Sequence, residues 1–140
     1  MFVSLVNLYV VRKGKNQLRI KLMNLFKKRE LLQKRRWRIR KKIVGSSTRP
    51  RVAVCFTNKN IHAQCINDSE AKTLLASSTN EKDLRSYLPN VNGSEKVGEI
   101  FGKRLIDAGI KSIVFDRSGR KYHGCVKAFA DSLRKQGLEF

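Results

Sequence analysis

The chain has 140 residues, a formal net charge of +20 and 41% hydrophobic residues, a length that suits one domain with an appendage, since domains usually run to roughly 100–150 residues. Its three cysteines, Cys55, Cys65 and Cys125, are odd in number and widely spaced, which speaks against a disulfide framework and suits a reducing compartment; with no Cys-x-x-Cys pair, and with His62 and His123 standing alone, no metal site is expected. Seventeen of the thirty-one Lys and Arg lie in the first fifty-one positions beside a single acid, Glu30, whereas fourteen cations face ten acids in the remainder, so the N-terminal part must find a polyanion to relieve its self-repulsion, and nucleic acid is the first expectation.

The opening MFVSLVNLYVV is apolar for eleven residues, well short of the roughly twenty that span a bilayer. Its charges, Arg12, Lys13 and Lys15, follow the apolar run instead of preceding it as in a secretory signal. Residues 1–23 are therefore read as an extension, disordered or preceding the true start at Met23. From Asn24 to Ile43 the sequence NLFKKRELLQKRRWRIRKKI lacks Gly and Pro and predicts a basic helical arm over 24–48, with Asn24 able to cap it. Leu25, Phe26, Leu31, Leu32, Trp37, Ile39 and Ile43 form only a broken apolar stripe along it. Gly45, Ser46, Ser47 and Thr48 read as a flexible joint, and Arg49-Pro50-Arg51 as extended chain.

Residues 49–140 read as a single domain. RVAVCF (51–56) and IHAQCI (61–66) flank the turn Thr57-Asn58-Lys59-Asn60 and predict a β-hairpin, and TLLASST (73–79) adds a third antiparallel strand. Residues 80–92 read as a loop whose first part turns helical. Ser94 is the expected N-cap of a helix carrying Val97, Ile100, Phe101, Leu105 and Ala108 and ending at Gly109. SIVFD (112–116) is apolar without alternation, as in a strand covered by helices. After the loop 117–123, a last helix presents Val126, Phe129, Ala130 and Leu133 on one face and closes at Gly137. The fold class is α/β: a mixed sheet with element order β-β-β-α-β-α, helices packed on it, and a basic helical arm in front.

Three segments, IRKKIVGSSTRPRVAV (39–54), FTNKNIHAQCIND (56–68) and IVFDRSGRKYHGCVKAFADSLRKQGLEF (113–140), resemble the bacterial-type large-subunit ribosomal protein eighteen family, and the likeness covers about five sixths of the chain. The resemblance implies a mixed α/β domain with a basic arm, and a structural protein of the large ribosomal subunit that binds 5S ribosomal RNA. It implies attachment of that RNA to the large-subunit rRNA in the central protuberance, beside neighbouring ribosomal proteins of a bacterial cytoplasmic ribosome. Two departures stand out. Asn60 and His62 replace the family's usual His and Tyr in the hairpin, so an aromatic contact at position 62 falls to imidazole; and Cys125 stands where Arg is usual after Tyr-His-Gly.

Within the arm, Arg36, Arg38, Arg40, Lys41, Lys42, Arg49 and Arg51 are the candidate RNA contacts, because they adjoin the domain and have hardly any acids to pair with. Trp37 can stack on an unpaired base or fold back on the domain as an anchor. Asn58 and Lys59 at the hairpin tip can meet an RNA backbone, although Asn is also favoured in turns for its conformation alone. Arg117, Arg120, Lys121, Tyr122 and His123 place cations and rings before a helix N-terminus, where phosphate is attracted and rings can stack. Asp116 is expected to brace that loop. Asp116, His123 and Cys125 are also the residue types of a nucleophile set, but Cys125 opens an amphipathic helix and no G-x-x-x-x-G-K-[ST] loop occurs, so neither catalysis, a cofactor nor a small-molecule substrate is expected. The rival reading is a basic nucleic-acid chaperone or DNA-associated protein without structural selectivity.

Overall fold

The computed structural model describes residues 3–140, with side chains from residue 22 onward. Helix α1 (Val3–Arg40) contains most of the segment expected to be helical and extends it toward the N-terminus. Asn24 accordingly lies inside the helix and does not cap it, because Gln17, Leu18, Arg19, Lys21 and Leu22 are all compatible with continued helix. The extension expected over 1–23 falls, apart from Leu22 and Met23, on residues whose side chains lie outside those described. The chain divides into two compact units, Met1–Trp37 and Arg38–Phe140. In the first, Leu25, Phe26, Leu31 and Trp37 are exposed, and Glu30 pairs with Lys34 one turn on at 2.6 Å.

The second unit is built on strands β1 (Arg51–Phe56), β2 (Ile61–Asn67), β3 (Lys72–Ser78) and β4 (Val114–Asp116). Their order in the sheet is β3-β2-β1-β4, with β1, β2 and β3 antiparallel and β4 parallel to β1. Period-two alternation sends Val52, Val54 and Phe56 of β1, and Ile61, Ala63 and Cys65 of β2, to one face, where all six are buried. Helices α2 (Val91–Asp107) and α3 (Cys125–Lys135) close that face with Val97, Phe101 and Leu105, and with Val126, Phe129 and Leu133. Phe129 is the hub, its ring 6.3 to 6.5 Å from those of Phe56, Phe101 and Phe115; each such side chain contributes about 1.5–3 kcal/mol by leaving water. The two helices approach so closely at Gly98 that a Cβ there would stand 2.0 Å from Ser132 Oγ.

The element order matches the sequence expectation, and the remaining differences are local. A 3₁₀ turn, Lys82–Leu84, opens the expected loop and buries Leu84. Helix α2 starts earlier than Ser94 predicts: Asn90 is its N-cap, its Oδ1 accepting from the Gly93 amide at 2.7 Å, while the Ser94 hydroxyl donates to the Asn90 carbonyl. Both residues are good cap types, and Asn90 wins because it satisfies an otherwise orphaned N–H of the first turn. The positive φ of Gly109, 78°, ends α2 where expected. Of SIVFD only Val114–Asp116 joins the sheet; Ser112 forms a parallel bridge to Glu139, and Phe140 stacks on Phe115 at 5.3 Å.

Within this unit, α2 and α3 both pack on that buried face, and the opposite face of the sheet is the polar one. It carries Ala53 and Cys55 of β1, His62, Gln64 and Ile66 of β2, and Thr73, Ala76 and Ser78 of β3, which the strand register sets side by side. All are exposed or half-buried.

Candidate nucleic-acid interface

Most of the residues singled out from the sequence that belong to the second unit lie toward the two ends of β1. At its N-terminal end stands the arm root, residues 38–49. Arg38, Arg40, Lys41, Lys42 and Arg49 are exposed there, and Arg49 also donates from Nε to the Ile113 carbonyl at 3.1 Å. Arg36 and Trp37 belong to the other unit; Arg36 is half-buried and Trp37 is 58% exposed.

Arg51 differs from its expected place. Only 6% of it is exposed, and its guanidinium is taken by two carboxylates. Nε and Nη2 donate to the two oxygens of Asp68 at 2.8 and 2.6 Å, and Nη1 donates to Asp116 Oδ2 at 3.3 Å. The fork geometry of guanidinium suits this two-sided role, which a lysine ammonium could not fill. Hydrogen bonds from Arg51 hold the Asp68 carboxyl below its ordinary range, aided by the Gly45 amide, and the same Asp68 bonds raise the Arg51 pKa.

The segment read as a flexible joint is tied down by the same carboxylate. Gly45 is buried; its amide donates to Asp68 Oδ2 at 2.8 Å and its carbonyl accepts from the Asp68 amide at 3.1 Å. A side chain at 45 would collide with the Arg51 amide nitrogen, 2.5 Å from the Cβ position, and with the Ile66 carbonyl at 2.6 Å. Ser46 and Arg49 close a turn through two further hydrogen bonds. Small polar residues look flexible in a sequence, but here the missing Cβ serves close packing.

At the other end of β1, Asn58 and Lys59 are exposed at the hairpin tip, where the Thr57 amide donates to the Asn60 carbonyl at 2.8 Å. The loop 117–123 leaves β4 at the same end, because β1 and β4 are parallel. Arg120 links the two: it donates to the Phe56 carbonyl and lies over the Phe56 ring at 5.7 Å. Arg117 in turn donates to the Arg120 carbonyl at 2.6 Å. Lys121 and His123 are exposed, and Tyr122, 43% exposed, accepts from Arg134 Nη1 at 2.7 Å. Asp116 braces the loop as expected, its Oδ1 accepting from the Ser118 amide at 2.8 Å. Positive φ at Ser118 and Gly119, 52° and 80°, lets the chain turn sharply there. Arg120 is thus a strut as well as an exposed cation, and Lys121 is exposed beside it. Arg120→Ala is expected to lower stability by about 1–2 kcal/mol through the lost charged hydrogen bond and ring contact. Lys121→Ala should leave the urea midpoint nearly unchanged and weaken RNA binding; equal effects of both on stability would show that the loop works as one structural piece.

Between the two clusters lies the second, more polar sheet face. His62 Nδ1 is 2.9 Å from the Ser78 hydroxyl, and the register puts Cys55 opposite His62 and Ala53 opposite Gln64. Sequence reasoning marked His62 alone; the alternation of buried and exposed residues would have named Cys55, Gln64, Ala76 and Ser78 with it. β1 is six residues long, about 20 Å at roughly 3.3 Å per residue, a length over which a nucleic-acid duplex carries on the order of ten phosphates. The acids around it are largely used internally: Asp68 and Asp116 on Arg51, Glu81 on Arg104, Glu95 on Lys135.

The nucleophile-type residues do not form a set. Asp116 is 2% exposed and bonded to Arg51 and Ser118, His123 points to solvent from the loop, and Cys125 Sγ donates to the Pro89 carbonyl at 3.7 Å. Burial pushes the Cys65 thiol up to about 11, so it is a core residue without nucleophilic character. Among the described residues no group of three or more His, Cys, Asp or Glu is placed to hold a metal ion, and no helix is long and apolar enough to cross a membrane.

A mixed sheet with helices packed on its core face and exposed cations toward both ends of its first strand defines a basic α/β protein. Comparison with known proteins gives the particular kind. The family model described as "Ribosomal L18 of archaea, bacteria, mitoch. and chloroplast" matches residues 26–140, and the chain belongs to that family. It is 49% identical over 116 residues to the large ribosomal subunit protein uL18 of Dictyoglomus thermophilum, covering 81% of this chain and 95% of that one. Similarity to the uL18 proteins of Picosynechococcus (45% over 116 residues, 81% and 97% of the two chains) and Treponema denticola (52% over 107 residues, 76% and 89%) is of the same order. The chain is a ribosomal protein of the large subunit.

Proposed function

We propose that this protein binds 5S rRNA and helps attach it to the large-subunit rRNA in the central protuberance, without catalysing a reaction. The observation that carries the reading is the arrangement along β1: exposed cations at the arm root, exposed Asn58, Lys59 and Lys121 at the far end, and a face of small and polar residues between them. Cations at both ends set the register of an RNA backbone, and the amide, imidazole and hydroxyl groups of Gln64, His62 and Ser78 are the donors and acceptors that can meet sugar and base edges between them. Family membership supports a ribosomal partner, and the bacterial relatives support a cytoplasmic ribosome as its setting.

The test is a competition titration in which 5S rRNA, transfer RNA and duplex DNA compete for the full chain at near-physiological salt. A preference for 5S rRNA of about a hundredfold or more, against the roughly 10³–10⁷ range of specific binders, supports the proposal. Equal competition by all three overturns it and leaves the unselective chaperone reading. Salt dependence alone does not separate the two, since both lose affinity as counterions compete.

A further inference from the structure

Two acids stand where a polyanion binder gains nothing from negative charge. Asp116, at the end of β4, is 2% exposed and makes three connections: Oδ1 to the Ser118 amide at 2.8 Å, and Oδ2 to Arg51 Nη1 at 3.3 Å and Arg40 Nε at 3.8 Å. Asp68, at the β2–β3 turn, holds the Gly45 amide at 2.8 Å and both the Nε and Nη2 of Arg51. The chain Gly45–Asp68–Arg51–Asp116–Ser118, with Arg40 joined at Asp116, therefore runs from the arm root to the loop 117–123. Its sequence separations, 17 residues from Arg51 to Asp68 and 65 to Asp116, show that it adds side-chain ties between distant segments that the strand pairing already sets side by side.

We infer that Asp68 and Asp116 are positioning residues for RNA binding: they hold the cations of the arm root and those of the loop in one geometry before RNA arrives. The inference rests on the RNA-binding reading above. Holding side chains and loops in the bound arrangement removes the ordering cost of association, whereas the charge of an acid by itself repels phosphate. The two effects have opposite signs, and this makes the role measurable. Replacing either acid by its neutral amide removes a negative charge, so electrostatics alone raises affinity for RNA. Loss of positioning lowers it.

The experiment measures 5S rRNA affinity as a function of salt for the full chain and for Asp116→Asn, Asp68→Asn and Asp107→Asn, each at a temperature where circular dichroism shows it folded. Asp68→Asn is the safer variant, since position 68 is partly exposed and the amide oxygen still accepts from Gly45. Asp107, exposed at the end of α2, is the control. Affinity about tenfold lower in the Asp68 and Asp116 variants, with the slope of log K against log salt unchanged and the Asp107 variant equal to or tighter than the parent, is the expected result, because the phosphates finally contacted are the same while ordering them costs more. Affinity equal to or above the parent's in the folded Asp68 variant overturns the inference. Failure of the parent chain to prefer 5S rRNA is a separate outcome, and it removes the underlying reading instead.

Discussion

A chain lacking residues 1–37 is expected to keep a folded α/β domain and to lose about a thousandfold or more in RNA affinity at low salt. The domain survives because residues 38–140 form their own compact unit, with Gly45, Arg51 and the whole of the hydrophobic core on the retained side. A cut at residue 44 would be less clean, since it removes Arg40 from Asp116 and half-buried Ile43 from the domain. The affinity loss follows from the removal of Lys27, Lys28, Arg29, Lys34, Arg35 and Arg36, a set of cations in a stretch whose sequence holds a single acid, Glu30. Six or more phosphate contacts make affinity fall roughly 10³–10⁵-fold between 50 and 200 mM salt, so the truncated protein should show a much flatter salt dependence in filter binding. An unchanged slope would show that the helix does not lie on RNA.

Replacing Arg51 with Ala is expected to lower unfolding free energy by about 3–5 kcal/mol, the usual effect of removing one partner from a buried ion pair. Asp116, 2% exposed, and Asp68 would lose their shared guanidinium, leaving Arg40, 3.8 Å from Asp116 and also acting on Asp68, as the nearby cation. The pH dependence carries the sign. Pairing with Arg51 holds the Asp68 carboxyl below its ordinary value of 3.8, so the folded state binds fewer protons there than the unfolded one. That stabilisation is present above the unfolded value and is lost as pH falls through the lower folded value. In the Ala variant the Asp68 carboxyl loses the partner that holds its protons off, and this linked stabilisation goes with it. The gap between parent and variant should therefore be widest near neutral pH and close on acidification below about pH 4. A gap independent of pH in urea titrations would assign the loss to packing of the side-chain stem, not to charge.

Much of the fold was legible because β1 and β2 alternate cleanly and α2 and α3 are each followed by a glycine. RVAVCF and IHAQCI could be paired from their turn alone, and the apolar faces of α2 and α3 read directly as core. Long-range partners were not legible. Arg51 counted as one more cation in a basic stretch, since nothing local reveals that Asp68 and Asp116 reach it. Nor does anything local reveal that Arg120, an exposed candidate contact, also donates to the Phe56 carbonyl 64 residues away. Gly45 to Thr48 read as a joint because small polar residues signal freedom only when nothing packs against them, and Gly45 lies against the backbone of Arg51 and Ile66. A sequence counts charges and small residues; whether each faces inward or outward is decided by segments tens of residues away.

The placement of β4 beside β1 also sets a clock. In synthesis β1 is complete at Phe56, yet its parallel neighbour ends only at Asp116, sixty residues later. At about 5–20 residues per second the leading edge of β1 waits roughly 3–12 s for its partner. Through that interval the meander of β1, β2 and β3 offers an unpaired strand edge, with Val52, Val54, Phe56 and Ile61 uncovered by the helices that follow. The cationic N-terminal stretch has by then already emerged, and its mutual repulsion holds nascent copies apart while their sheets are incomplete.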